Sequence, residues 1–77
     1  MDFNKFIEKA IEKYSKYGIN KVQFFVWHGT DGDTYCWIYL LEHRIGENEL
    51  THVISKWKMP LEEEKLFNWF DNILIKK

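Results

Sequence analysis

Two runs rich in β-branched and aromatic residues, KVQFFVWH at 21–28 and TYCWIYLLEH at 34–43, are separated only by Gly29-Thr30-Asp31-Gly32-Asp33. A short Gly/Asp cluster between such runs specifies an antiparallel hairpin. With Asp31 at the loop centre, Trp27 faces Tyr35, Val26 faces Cys36, Phe25 faces Trp37, Phe24 faces Ile38 and Val22 faces Leu40. Side chains alternate across a sheet with period two. One face therefore collects Val22, Phe24, Val26, Cys36, Ile38 and Leu40, and the other Gln23, Phe25, Trp27, Tyr35, Trp37 and Tyr39. The first set suits a core. The second is large, ringed and amphipathic.

The flanks supply what covers the core side. Phe3, Phe6, Ile7, Ala10, Ile11 and Tyr14 recur at helical spacing, with Lys and Glu on the remaining faces. Asp2 is placed to cap this helix, Met1 to pack on Phe6, and Gly18 to end it in a left-handed conformation. Arg44 to Glu49 reads as a second turn, and Leu50 to Trp57 as a third strand. Its parity depends on the turn: one register points Val53, Ser55 and Trp57 inward, and a shift of one residue points Ile54 inward instead. Pro60 is expected to open a last helix at its first position, with Glu62, Glu63 and Glu64 in the first turn and Lys76 and Lys77 at the end. Leu66, Phe67, Phe70, Ile73 and Leu74 are expected to form its buried stripe, off which Trp69 lies. The expectation is an α+β fold of α-β-β-β-α order, one domain over 1–77, with a three-stranded antiparallel meander packed on two helices on one face.

Two short helices cover one side of such a sheet and not both. The chain is 18% aromatic, and with one side left uncovered Phe25, Trp27, Tyr35, Trp37 and Tyr39 are expected on the bare side. Each Trp or Tyr carries ~150–250 Å² of surface. Contiguous apolar patches beyond a few hundred Å² are unusual on monomers without a use. Cross-strand ring pairs also stabilise a small sheet by ~0.2–1 kcal/mol each, so folding alone accounts for part of the pattern.

Catalytic and metal signatures are weak. His28 and His43 sit at opposite ends of the hairpin, while His43 and His52 flank the second turn with Glu42 near them. A small hydrolase centred on His43 and His52 is the only enzymatic reading the histidines allow. Asp31, Asp33 and Glu42 imitate the ends of a calcium loop, but Cys36 occupies the glycine position. Cys36 falls mid-strand on the core side, where a thiol is inert. There is no phosphate loop, CxxC pair or serine elbow. No enzymatic activity, cofactor or metal is expected.

In element order and length the chain resembles double-stranded-RNA-binding domains and the small messenger-RNA-cleaving toxins built on that fold. That resemblance implies phosphate contacts from the start of the last helix, where this chain has Pro60-Leu61-Glu62-Glu63-Glu64. The glycine–serine–histidine motif of the toxins is replaced by His28-Gly29-Thr30. Base stacking on the ring face, with Lys21, Arg44, Lys56 and Lys58 as a rim, is the other nucleic-acid reading. With 11 basic and 12 acidic residues, no strong field supports either.

The preferred expectation is a non-catalytic protein-binding domain. Phe25, Trp27, Tyr35, Trp37 and Tyr39 would occlude a larger partner in the manner of an anti-defence, immunity or antitoxin inhibitor or adaptor. A homodimer through the same face is compatible. The single cysteine, the start MDFNKF and the lack of a long apolar run lead to a reducing, cytoplasmic setting without a membrane span as the expected location.

Overall fold

The computed structural model describes residues 1–75. It runs α1 (Phe3–Tyr14), a 3₁₀ turn (Ser15–Tyr17), β1 (Lys21–His28), β2 (Thr34–Glu42), β3 (Leu50–Lys58) and α2 (Glu63–Leu74). The strands form one antiparallel sheet in the order β1-β2-β3, giving an α+β fold.

α1 begins where Asp2 accepts a bond from the Lys5 N–H, and its apolar face buries Phe6, Ala10 and Tyr14 completely. The chain leaves the following 3₁₀ turn through Gly18 at φ 93, a left-handed conformation that favours glycine. Met1 stays 45% exposed.

The core lies between the helices and one face of the sheet. Phe6, Ala10 and Tyr14 of α1, Cys36, Ile38 and Leu40 of β2, Val53 of β3 and Leu66 and Phe70 of α2 all belong to it. Rings knit it together: Phe6 lies 4.7 Å from Phe67 and 5.8 Å from Phe24. Val53 and Ser55 are buried and Trp57 half-buried, which selects the first of the two β3 registers. Ser55 keeps its buried hydroxyl bonded, donating to the Ile38 carbonyl and accepting from the Trp57 indole N–H.

Three expectations are corrected. Val26, assigned to the core, is 49% exposed. It sits on the edge strand beyond Phe24, where the first residue of α1, Phe3, makes its contact at 4.7 Å. Pro60 does not open α2: Leu61 tucks into the core, Glu62 is still extended, and the helix starts at Glu63. Ile73 is 39% exposed at the margin of the α2 stripe. The terminal Lys76 and Lys77 lie outside the described residues. Trp69, left open by the sequence, is on the helix side, edge-on to Trp57 at 5.8 Å and to Phe70 at 5.3 Å.

Candidate protein-binding face

The hairpin turn fixes which rings meet. The Gly29 N–H bonds the Asp33 carbonyl at 2.7 Å and the Gly32 N–H bonds the Gly29 carbonyl at 3.1 Å, with Gly32 at φ 90. This is a type I turn closed by a glycine bulge, a standard three-residue hairpin loop. Asp31 organises it by accepting from the Asp33 N–H and from the Tyr35 hydroxyl. The Tyr35 bond holds the Asp31 carboxyl below the usual carboxylate range, and in return pushes the Tyr35 hydroxyl up.

From that turn the register is Trp27↔Tyr35, Val26↔Cys36, Phe25↔Trp37, Phe24↔Ile38, Gln23↔Tyr39 and Val22↔Leu40. Phe25, Trp27, Tyr35, Trp37 and Tyr39 share the face opposite the core. Their rings touch one another. Trp27 stacks on Tyr35 at 5.4 Å and meets Trp37 edge-on at 5.7 Å. Phe25 lies 6.2 Å from Trp27, and Trp37 stacks on Tyr39 at 6.1 Å. The helical rings instead contact Phe24 and Trp57, which point to the core side. All five sequence-assigned residues are thus brought together on the bare face. Phe25 is the most open of them, at 61% exposure; the other four are half-buried against their neighbours.

The cluster surface carries two shallow, open depressions. An open hollow of about 460 Å³ is lined by Phe25, Trp27, Trp37 and Tyr39. A second, of about 390 Å³, lies toward the turn between Trp27, Tyr35, Lys56 and the loop at Gly29–Asp31. The Trp37 indole N–H is buried without a hydrogen-bond partner among the described residues. Such an orphan donor costs ~1–3 kcal/mol.

β3 adds members that the sequence did not assign, because its parity was open. Ile54, opposite Tyr39, is 50% exposed, and Lys56, opposite Trp37, places its ammonium 5.1 Å from the Tyr35 ring centre. The register slips between Leu40 and Leu41, leaving His52 as an extra residue on β3. Only the parity of the second turn could have exposed this in the sequence.

The expected basic rim is largely neutralised. Lys21 pairs with Glu49 at 2.7 Å, Lys58 with Asp33 at 3.1 Å, and Arg44 with Glu42 at 2.6 Å. Lys56 has no carboxylate partner among the described residues. The histidines engage different partners: His52 bonds Glu42 at 3.0 Å, His43 approaches Glu49 at 3.8 Å, and His28 bonds the Thr34 hydroxyl at 3.1 Å. Arg44 first, then His52, holds the Glu42 carboxyl below its usual range. Among the described residues no three His, Cys, Asp or Glu groups are placed to hold a metal ion. Cys36 is fully buried, and burial pushes its thiol up, away from the reactive thiolate. No helix among the described residues is long and apolar enough to cross a membrane. Compared with protein-family models, curated proteins and solved structures, the chain matches none.

Proposed function

We propose that this chain is a non-catalytic recognition domain that binds a larger protein through the ring face, as an inhibitor or adaptor acting by steric occlusion. One observation carries the reading: Phe25, Trp27, Tyr35, Trp37 and Tyr39 form a contiguous ring surface with a shallow, open hollow on the side without helices. Tryptophan and tyrosine dominate interface energetics because they bury large area at low entropic cost. Phe25 in the hollow and Ile54, opposite Tyr39 on β3, are exposed and extend the apolar area. The pairing of Lys21, Arg44 and Lys58 with carboxylates favours a protein partner over a phosphate backbone.

The test is capture from extract of the cells that make the protein, with wild type and Trp37→Ala compared. Wild type retains one protein in stoichiometric amount, and Trp37→Ala loses it while circular dichroism still reports a folded domain. Because Trp37 also supports its neighbours, Ile54→Lys serves as a second variant at a half-exposed position. Retention of the same protein by both folded variants would refute the reading.

Stacking on single-stranded nucleic acid is the second reading, favoured by one contact, the Lys56 ammonium beside the Tyr35 ring. It requires quenching of tryptophan fluorescence by oligonucleotides at low salt, weakening steeply as salt rises. Absence of quenching at low salt eliminates it.

A further inference from the structure

The free edge of β1 differs from the free edge of β3. Natural sheets blunt exposed edges with charges, proline or bulges. β3 has Lys56 and Lys58 and the register slip at His52. β1 has none of these between Lys21 and His28: its interior is Val22, Gln23, Phe24, Phe25, Val26 and Trp27. Phe25 and Val26, adjacent and on opposite faces, are 61% and 49% exposed. The edge is therefore open, apolar on both sides and unguarded.

The helix above continues this surface. Lys9 bonds Glu63 and Lys13 bonds Asp71, so that flank of α1 faces α2. Phe3, Ile7 and Ile11 fall at four-residue spacing on the opposite flank, and the Phe3 ring rests on Phe24 of β1.

The phase of the ladder determines what this edge offers. The Gly29 N–H bond to the Asp33 carbonyl makes the odd-numbered residues of β1 the hydrogen-bonded partners of β2. The backbone groups of Val22, Phe24, Val26 and His28 then turn to the free edge.

We propose that this edge pairs antiparallel with β1 of a second copy of the chain, giving a two-fold dimer with a continuous six-stranded sheet. The two-fold axis passes between the two Phe25 residues. Phe24 pairs with the second copy's Val26, and Val22 with the second copy's His28, so every edge-facing group finds a partner. The pairing keeps the ring faces on one side and doubles their extent. It also brings Lys21, whose partner within the chain is the exposed Glu49, beside the second copy's acidic turn at Asp31, which is exposed. This inference stands independently of the partner-binding reading, because the ring face remains open in the dimer.

Sedimentation velocity over a wide range of concentration tests it on wild type, Val26→Lys and Ile54→Lys. Val26 lies on the helix side of the edge, outside the ring face, and Ile54 lies on the ring face away from β1. Twice the chain mass is expected for wild type and Ile54→Lys, and loss to the mass of one chain for Val26→Lys with an unchanged circular dichroism spectrum. Phe25→Cys adds a test that needs no loss of association. Residues facing across a two-fold non-hydrogen-bonded pair lie ~4.5 Å apart at Cα, within disulfide reach. Mild oxidation is expected to give a covalent dimer, whereas wild type, whose Cys36 is buried, gives none. A monomer at every concentration overturns the proposal. So does a dimer that survives Val26→Lys, and a Phe25→Cys protein that fails to cross-link.

Discussion

The Tyr14 hydroxyl donates to the Asp71 carboxylate at 2.6 Å and ties α1 to α2 above the sheet. Burial first, and then this bond, raises the Tyr14 hydroxyl above its usual range. Burial alone would raise the Asp71 carboxyl, but the Tyr14 and Lys13 bonds outweigh it and leave the carboxyl lowered. Asp71 therefore contributes stability that is present above the ordinary carboxylate range, about 3.9, and is lost as pH falls below it. Tyr14 contributes stability present below the ordinary tyrosine value, about 10, and lost as pH rises past it. Tyr14→Phe is expected to cost about 1.5–3 kcal/mol near neutral pH, as for bonds to charged groups. It should also flatten both limbs of the stability profile. Urea unfolding across pH measures both effects; an unchanged acid limb in Tyr14→Phe would count against the assignment.

At the ring face, two substitutions of one residue should separate. Trp37→Phe keeps a ring against Trp27 and Tyr39 while removing the buried N–H that has no acceptor. Its cost is expected to be about 0.5–1.5 kcal/mol, in the range of partial large-to-small trimming. Trp37→Ala removes the ring and is expected to cost about 2–4 kcal/mol, toward the range of large-to-small changes. Chemical denaturation of the two variants gives the comparison. Equal losses would mean that ring contacts contribute nothing there.

Gly18→Ala should be costly for a local reason. The residue sits at φ 93, and an added Cβ would meet Glu42 Oε1 at 2.6 Å. The carboxylate can shift, but the left-handed backbone remains, at about 1–2 kcal/mol for an L side chain. A thermal midpoint equal to that of wild type would refute this.

Metal should not matter to the fold. His43 and His52 engage different carboxylates, Glu49 and Glu42. Neither a chelator nor added zinc is expected to move the thermal midpoint, and a zinc-dependent rise would reveal a site that the geometry does not provide.

Much of this fold was legible because the hairpin is over-determined. The Gly/Asp turn, the length of both runs and the period-two split all point to one register, and that register is the one observed. The rings Phe25, Trp27, Tyr35, Trp37 and Tyr39 followed from it directly. Where no such redundancy existed, legibility fell. Val26 has the residue type and parity of a core position, but parity does not say how far a helix reaches along an edge strand. Pro60 carries a helix-start signal, and the need to bury Leu61 before the helix begins overrode it. The extra His52 on β3 left no mark in the pattern, so Ile54 and Lys56 could not be assigned to the ring face. The nature of a partner is not written in local periodicity at all, because a binding surface and a stabilising ring cluster use the same residues.

The most direct measurement is quantitative capture from native extract by wild type, Trp37→Ala and Ile54→Lys, with each variant first verified as folded. The expected result is one protein retained in equal molar amount by wild type and lost by both variants. Retention of that protein by all three, or no protein retained by wild type, would contradict the assignment of the ring face as the working surface.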